Sequence, residues 1–270
     1  MIRELLRKYD IRLNTDLGQH FLSDIGQLKK IADAATLTKD DIVLEVGTGI
    51  GTLTKYLAEK AGFVVSVELD KKMMPAAKEY LKDLDNIELI NADIMKCNIP
   101  KILADHPGYK HKKVVANVPY YLTTPLITLL IGSKAKFELI VLTIQNEVAE
   151  RIVSKPGRKQ YGSFTVFVNY YTNPEIKARI PNSAFIPPPK VGSAVLRLNV
   201  LDKPSVKVKD EKLFFRVVRG AFNQRRKMLK NALEAAHVKW PDGTAIDSKR
   251  RGETLSIEEF AELADLIFSS

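Results

Sequence analysis

Short apolar runs alternate with helix-like segments between residues 42 and 144, and this alternation constrains the fold more than any other feature of the chain. The runs are continuously apolar and rich in β-branched residues, which is typical of strands buried on both faces of a parallel sheet. Strands that alternate with helices predict a doubly wound (Rossmann-like) α/β domain. The predicted strands cover residues 42–46, 63–67, 87–90, 114–116 and 137–144.

Beyond residue 145 the pattern changes. A helix that begins near residue 145 precedes a predicted hairpin of strands 164–171 and 175–180, because Thr172-Asn173-Pro174 is a short turn-forming connection. A last strand is predicted over residues 194–200, and from about residue 206 the apolar spacing is purely helical. We therefore predict an α/β domain over residues 1–202 and a small all-helical domain over residues 203–270.

The chain carries 42 Lys and Arg residues against 32 Asp and Glu residues, a formal net charge of +10. This excess favours a polyanionic partner such as nucleic acid or an anionic membrane surface, but a solvated, lysine-rich surface would give the same count. No apolar run approaches the length of a membrane span, and the N-terminus lacks a signal-peptide pattern, so we expect a cytoplasmic protein without a membrane partner.

The cysteine and histidine residues restrict which disulfides and metal sites the protein can form. The single cysteine, Cys97, excludes an internal disulfide and fits a reducing compartment. The four histidines, at positions 20, 106, 111 and 237, show no spacing typical of metal ligands. We therefore predict no metal site.

A glycine-rich segment, Glu45-Val46-Gly47-Thr48-Gly49-Ile50-Gly51, joins the first predicted strand to its helix. A doubly wound sheet holds nucleotide-like ligands at this position, where glycines let the backbone approach the ligand. A dinucleotide fingerprint would need its third glycine at position 52, which is Thr52. The Gly-x-Gly-x-Gly spacing is instead associated with methyltransferases that bind S-adenosylmethionine. The alternative is a tight turn without a ligand.

Polar side chains follow the next three predicted strands. Glu68 ends the second strand, where a carboxylate can accept hydrogen bonds from two ribose hydroxyls, and Asp93 follows the third, where a carboxylate can accept one from an adenine amino group. Asn117 follows the fourth strand. Taken singly, either acid could be a helix N-cap or a solvated loop residue. The ends of parallel strands meet at one edge, so the alignment predicts a shared crevice.

Asn117 opens the turn Asn117-Val118-Pro119-Tyr120, which suits chemistry on the exocyclic amine of a flat heterocycle. The Asn117 amide oxygen and a nearby backbone carbonyl can accept hydrogen bonds from an NH₂ group, while the Tyr120 ring can stack on the base. Pro119 fixes its own φ and stiffens the turn. A loop of turn-forming residues with a partly buried tyrosine is the alternative.

With these motifs in place, the chain resembles the small-subunit ribosomal RNA adenine N6,N6-dimethyltransferase family over nearly its whole length. It departs from the family pattern at Val118, Gly192 and Asn146, where Leu, Asp and Lys are common. The matching segments are GQHFL at 18–22, EVGTGIGTLT at 45–54, NVPY at 117–120, QNEVAERI at 145–152, YGS at 161–163, FIPPPKVGSAV at 185–195 and FNQRRKML at 222–229.

The resemblance implies S-adenosylmethionine as cofactor and assigns residues to it. His20 and Leu22 would close over the cofactor, and the loop glycines would contact it through the backbone. Glu68 would hold its ribose and Asp93 its adenine, while Asn117 would lie at the junction of cofactor and target base. The implied cofactor-binding residues are His20, Leu22, Gly47, Gly49, Glu68, Asp93 and Asn117.

The resemblance also implies the catalytic and RNA-binding residues. Asn117 and the Pro119 carbonyl would accept the adenine amine, and Tyr120 would stack on the target adenine. Phe185 would form the opposite face of that sandwich, or it is a core aromatic that anchors the proline loop. The resemblance implies phosphate contacts for a basic stretch on the predicted C-terminal helix pair. Such a run alone is usually a solvated helix face. The stretch consists of Arg225, Arg226, Lys227 and Lys230.

The implied substrate is small-subunit rRNA in an immature ribosomal subunit, modified by a monomeric enzyme. Three alternatives remain open at this stage. A small-molecule methyltransferase would share the glycine loop but would not need the basic charge. A large-subunit rRNA adenine N6-methyltransferase shares the core motifs. A mainly non-catalytic small-subunit assembly factor would share the binding surface.

Overall fold

The computed structural model describes residues 2–11, 13, 18 and 20–270. Gln19, which belongs to the first matching segment, lies outside the described residues. The helices are α1 (Ile2–Lys8), α2 (Ile25–Ala34), α3 (Thr52–Lys60), α4 (Met74–Tyr80), α5 (Ile99–Ala104), α6 (Thr123–Ile131), α7 (Asn146–Ile152), α8 (Ser163–Tyr171), α9 (Glu211–Asn223), α10 (Leu229–Ala235) and α11 (Ile257–Ser269). The strands are β1 (Phe21–Leu22), β2 (Asp41–Val46), β3 (Phe63–Glu68), β4 (Ile87–Asn91), β5 (His111–Asn117), β6 (Leu139–Gln145), β7 (Thr172–Ile180), β8 (Phe185–Ile186) and β9 (Ser193–Val200).

Seven strands form one sheet in the order β4-β3-β2-β5-β6-β9-β7. The pairs β3–β4, β2–β3, β2–β5 and β5–β6 are parallel, as the continuous apolar runs predicted, and β9 runs antiparallel to β6. All six residues of β2 are buried, as expected of an interior strand between β3 and β5. Helices flank the sheet, so the predicted Rossmann-like α/β class is confirmed.

The chain divides into two compact units. The first comprises residues 1–149 and 175–200, and the second comprises residues 150–174 and 201–270. The sequence placed a single boundary at residue 202 and assigned residues 150–174 to the first domain, and that assignment differs from the structure. The physical reason lies in aromatic packing, since the Tyr170 ring stacks on Phe214 of α9 with 5.0 Å between ring centroids.

The predicted hairpin of residues 164–171 and 175–180 is wrong, because its first half is helix α8. Thr165 caps this helix, as its hydroxyl accepts a hydrogen bond from the backbone N–H of Gly162 over 3.1 Å. The run is rich in β-branched and aromatic residues, which favours a strand locally. Helical burial of Val166 and Tyr170, four positions apart, against α9 overrides that preference.

The second unit has its own hydrophobic core, built from α8 and the C-terminal helices. Phe214, Leu229, Leu233 and Phe260 are fully buried in it. Helix α11 begins at a capping box in which Ser256 and Glu259 satisfy each other's backbone N–H groups. Across the described residues, no helix has the length and apolar character needed to cross a bilayer.

Candidate active site

A cavity of about 520 Å³ opens in the first unit at the C-terminal ends of β2, β3 and β5. This is the edge at which a doubly wound sheet binds ligands. Of the predicted site residues, the structure brings nine together in its wall: His20, Leu22, Gly47, Gly49, Glu68, Asn117, Pro119, Tyr120 and Phe185. The alignment of strand ends predicted four of these nine, Gly47, Gly49, Glu68 and Asn117, and the turn after β5 and the family resemblance supplied the other five.

The glycine loop approaches this cavity with its backbone. Gly47 and Gly49 have φ angles of +85° and +55°, which favour glycine. A Cβ atom on Gly49 would lie 2.4 Å from a ring carbon of Phe21, so this position is closed to any larger residue. The loop is thus shaped by β1 as well as by the turn after β2.

Glu68 ties the glycine loop to the end of β3. Its carboxylate accepts hydrogen bonds from the backbone N–H groups of Gly49, over 2.7 Å, and of Asp70, over 2.8 Å. Only 8% of the residue is exposed. Burial raises the pKa of this carboxyl above its ordinary value, and the two backbone donors act in the opposite direction.

A second carboxyl, that of Glu45, lies beneath the loop. The sequence analysis named this residue as the start of the glycine-rich segment and predicted no role for it. Glu45 is fully buried, and the hydroxyls of Thr54 and Ser66 both donate to its Oε2 atom over 2.6 Å. Thr48, which lines the cavity, lies 2.6 Å from the Ser66 hydroxyl, so a chain of hydrogen bonds runs from the cavity wall to Glu45. Desolvation by burial raises the pKa of Glu45 to about 8.

The turn after β5 is held at both ends. The backbone N–H of Val118 donates to the carbonyl of Thr143 over 3.2 Å, and the carbonyl of Pro119 accepts from Leu122 over 2.9 Å. The Asn117 amide nitrogen donates to the carbonyl of His20 over 3.5 Å. Among the described residues, the Asn117 amide oxygen has no hydrogen-bond partner, so it is an available acceptor at the cavity wall.

Tyr120 is half-buried in the same wall. Its hydroxyl lies 2.9 Å from the hydroxyl of Ser193, and its ring is nearly parallel to that of His20, with 6.4 Å between centroids. His20 is itself fixed, because its Nδ1 atom lies 2.7 Å from the carbonyl oxygen of Pro187. Burial raises the pKa of the Tyr120 phenol, so this group is neutral at physiological pH.

Phe185 and Leu22 face each other across the two-stranded sheet that pairs β1 with β8. Their exposed fractions are 3% and 2%, and both belong to the core cluster of the first unit. Phe185 therefore has the character of a core aromatic, the alternative considered from the sequence, while it also reaches the cavity wall. Its stacking role stays a prediction.

Asp93 differs from the other predicted site residues, because the structure does not place it in the cavity wall. Its carboxylate accepts a hydrogen bond from the backbone N–H of Met95 over 3.0 Å and caps the short 3₁₀ helix Ile94–Lys96. The N-cap considered from the sequence is thus present. The predicted contact between Asp93 and the adenine of the cofactor stays a prediction, because the capping role alone accounts for the observed position of the carboxylate.

The predicted RNA-binding residues lie in the second unit, mostly in the turn between α9 and α10 rather than on the helices themselves. Arg225 is occupied, since its guanidinium donates to the carbonyls of Lys159 and Tyr161 and to the carboxylate of Glu253, over 2.8, 3.3 and 2.9 Å. Its side chain thus holds three segments of this unit together.

The other members of the basic stretch form fewer contacts within the protein than Arg225 does. Arg226 and Lys227 are exposed and have no ion pair among the described residues, and Lys230 lies 3.9 Å from Glu234. Arg226 and Lys227 are consequently the better candidates for phosphate contacts.

Sequence reasoning missed one residue of this wall and one contact outside it. Tyr121 is 58% exposed and lines the cavity beside Tyr120, and a second aromatic residue directly after a predicted stacking residue was the sequence signal for it. Asn146 and Gly192, two departures from the family pattern, touch each other: a Cβ on Gly192 would lie 2.8 Å from the Asn146 amide nitrogen.

Within the described residues no group of three or more His, Cys, Asp or Glu could hold a metal ion.

The mostly parallel sheet, the glycine loop and the polar strand ends around one cavity define the class of Rossmann-like S-adenosylmethionine-dependent methyltransferases. The family model of ribosomal RNA adenine dimethylase matches residues 11–268, and the chain belongs to this family. The resemblance inferred from the sequence is therefore confirmed, and the protein is an rRNA adenine dimethyltransferase.

Named relatives agree with this membership. The ribosomal RNA small subunit methyltransferase A of Clostridium botulinum (strain Okra / Type B1) is 45% identical over 272 residues, which cover 98% of each chain. The protein of the same name from Alkaliphilus oremlandii is 42% identical and covers 97% of this chain and 94% of its own.

Two solved structures are similar over most of the chain. A dimethyladenosine transferase from Plasmodium falciparum is 26% identical, with a TM-score of 0.75 over 90% of this chain and 96% of that one. The 23S rRNA methyltransferase ErmE is 25% identical, with a TM-score of 0.73 over 92% of this chain and 99% of that one.

Proposed function

We propose that the protein transfers methyl groups from S-adenosylmethionine to the N6 amines of two adjacent adenosines near the 3′ end of small-subunit rRNA. The product is N6,N6-dimethyladenosine, formed during ribosome biogenesis. The observation that carries this proposal is the shared cavity, in which the Asn117 turn lies in one wall with the glycine loop and Glu68.

The residues of the cavity fit the cofactor. The glycine loop presents backbone where a side chain would block a ligand, and Glu68 offers a buried carboxylate oriented by two backbone donors. A carboxylate in this position suits a ribose diol, which has two hydroxyl donors. His20 and Leu22 also line the wall. When bound, S-adenosylmethionine supplies an electrophilic methyl group on a sulfonium.

The protein's own contribution follows from the electronics of adenine. The N6 lone pair is delocalised into the ring and is a poor nucleophile. The Asn117 amide oxygen and the second lone pair of the Pro119 carbonyl are acceptors for the two amine hydrogens, and they favour a pyramidal amine. Tyr120 stacks on the adenine and fixes its plane. Catalysis comes from positioning and electrostatics rather than from a general base.

The choice between small-subunit and large-subunit RNA rests on the sequence relatives. The solved structures do not discriminate, because the TM-scores of 0.75 and 0.73 belong to a dimethyladenosine transferase and to a 23S rRNA methyltransferase. The relatives at 42–45% identity are named as small-subunit methyltransferases. We further propose that the monomeric protein recognises an immature subunit through phosphate contacts of its second unit.

The test is incubation with S-adenosylmethionine labelled in its methyl group and with immature small subunits that lack the modification. Mass spectrometry of the digested RNA then maps the label. We expect doubly methylated adjacent adenosines near the 3′ end, formed at least about a hundredfold more slowly by the Asn117→Ala variant. Immature large subunits are the matched control. Label found only in large-subunit RNA or in small molecules contradicts the proposal, and subunit binding without transfer supports the assembly-factor alternative.

A further inference from the structure

Ser193 is buried completely, and its hydroxyl lies 2.9 Å from the hydroxyl of Tyr120. Ser193 does not belong to the cavity wall, whereas Tyr120 does. A ligand in the cavity would therefore meet the tyrosine ring without touching the serine. Any influence of Ser193 on the reaction has to pass through Tyr120.

The serine is held in a fixed place in the sheet. Ser193 is the first residue of β9 and pairs with Gln145 at the end of β6. The preceding carbonyl, that of Gly192, accepts a hydrogen bond from the backbone N–H of Asn146 over 3.1 Å. Strand pairing and this extra bond fasten the start of β9 to the end of β6.

The same strand end also holds the turn that carries the tyrosine. The Val118 N–H donates to the carbonyl of Thr143 in β6, so the backbone of the turn is fastened two residues from the position that fastens Ser193. The turn is thus held by the backbone of Val118, and Tyr120 itself by its hydroxyl, against the adjacent ends of β6 and β9. The hydroxyl contact keeps one χ1 angle and so one position of the ring, since rotation about χ1 would carry the hydroxyl away from Ser193.

We propose that Ser193 is a positioning residue for methyl transfer, which holds the Tyr120 ring at the place where the target adenine stacks. This inference rests on the proposed function. Geometry within the reacting complex controls the rate, because a misplaced base loses the alignment of its amine with the methyl donor. A tyrosine rather than a phenylalanine at position 120 is explained in the same way, since its hydroxyl is the handle by which the ring is held.

The test is a double-mutant cycle with Tyr120→Phe, Ser193→Ala and the double variant, each assayed on immature small subunits. Each single change deletes the hydrogen bond between Tyr120 and Ser193, so each should lower kcat by about three- to tenfold. Tyr120→Phe also deletes the longer contact of the hydroxyl with the Val191 carbonyl, at 3.5 Å, so its loss should be equal to or slightly larger than that of Ser193→Ala. The double variant should be no slower than the slower single variant. The Kd for S-adenosylmethionine should stay at the wild-type value, because Ser193 does not reach the cavity.

Thr123→Val is the matched control. Thr123 is 2% exposed, lies three residues after Tyr120, and its hydroxyl has no hydrogen-bond partner among the described residues. Removing this buried hydroxyl should leave kcat unchanged.

Three results would overturn the inference. The first is a fold loss of kcat in the double variant that equals the product of the losses in the two single variants. The others are a wild-type kcat in Tyr120→Phe and a far larger loss of kcat in Tyr120→Phe than in Ser193→Ala. If Ser193→Ala does not fold, Tyr120→Phe decides alone, because wild-type kcat in that variant refutes the role. A wild-type protein that fails to methylate the subunit refutes the proposed function instead.

Discussion

The Glu68 carboxylate accepts a hydrogen bond from the backbone N–H of Gly49 over 2.7 Å, which joins the end of β3 to the loop after β2. Two groups proposed to hold the cofactor are therefore already connected before any ligand binds. A second backbone donor, Asp70, engages the other carboxylate oxygen. A carboxylate oriented in this way does not need to reorganise when a ribose diol donates to its remaining lone pairs.

Replacing Glu68 by alanine should weaken the binding of S-adenosylmethionine by about ten- to a hundredfold, because hydrogen bonds to a charged group contribute roughly 1.5–3 kcal/mol. Isothermal titration calorimetry measures the change in Kd. Glu88→Ala is the matched control, since it removes an acidic residue on the neighbouring strand β4 that pairs with His106 outside the cavity. An unchanged Kd in folded Glu68→Ala protein would remove Glu68 from the cofactor site.

The sequence was sufficient to predict the parallel strands and the polar strand ends in the cavity wall, because both depend on local signals. Apolar runs mark buried strands, and polar residues at their ends meet at one edge whatever the loops do. Glu68 and Asn117 were found in this way, and both line the cavity.

What could not be predicted depends on contacts between distant segments. Helix α8 has the composition of a strand, and only its packing on Phe214 decides its conformation. Arg225 looks like its basic neighbours in the sequence, yet it binds carbonyls 64 and 66 residues away. Ser193 lies in the matching segment 185–195, but its contact could not be predicted, since its partner Tyr120 lies 73 residues earlier.

Asn117→Ala should lower kcat by about a hundred- to a thousandfold, the loss typical when one preorganised hydrogen-bonding group is removed from a reacting centre. Binding of the immature subunit should be retained, because the substitution leaves the second unit unchanged. Asn117→Asp keeps an acceptor oxygen but loses the bond to the His20 carbonyl, so it should be more active than the alanine variant. Single-turnover rates distinguish the three proteins, and equal rates for both variants would argue against the acceptor role.

Tyr121→Ala should weaken RNA binding without changing the Kd for S-adenosylmethionine. An exposed aromatic in the wall beside Tyr120 is suited to stack on a base next to the target, and such stacking contributes about 1–3 kcal/mol. The expected rise in KM is therefore about five- to a hundredfold, measured with subunits as the varied substrate. Tyr121→Phe keeps the ring and should behave as the wild type. A tyrosine-specific loss in that variant would contradict stacking.

Glu45 makes the stability of the fold depend on pH. Burial raises its pKa in the folded protein to about 8, from 4.5 for an ordinary glutamate. Between these values the native state binds more protons than the unfolded state, so the free energy of unfolding falls as the pH rises. Glu45→Gln removes this titration, and its melting temperature should fall less than that of the wild type between pH 5 and about pH 8.

The size of this effect is bounded by the shift itself, at no more than about 5 kcal/mol. The carboxyl of Glu68 also has a raised pKa and acts in the same direction. The difference between wild type and Glu45→Gln removes the part of its contribution that does not depend on Glu45, while the Coulombic repulsion between the two carboxyls stays in that difference. Calorimetry over the pH series measures both curves. Parallel curves would show that Glu45 titrates at an ordinary pH in the folded protein.

Arg225 and Arg226, adjacent in the sequence, should respond differently to replacement by alanine. Arg225 bridges Lys159, Tyr161 and Glu253, so its loss should destabilise the second unit by about 1–3 kcal/mol and lower the melting temperature. Arg226 is exposed without an ion pair among the described residues, so its loss should change stability by no more than about 0.5 kcal/mol.

The salt dependence of RNA binding separates the two roles. If Arg226 contacts a phosphate, Arg226→Ala should reduce the slope of log K against log salt concentration by about 0.7–0.9, because one fewer counterion-releasing contact is made. Arg225→Ala should leave that slope close to the wild-type value at a temperature where the protein is folded. If Arg225→Ala instead reduces the slope by about 0.7–0.9 and leaves the melting temperature unchanged, Arg225 is the phosphate contact. Its bond to Glu253, with 47% of the arginine side chain exposed, would then be a weak surface pair that RNA displaces.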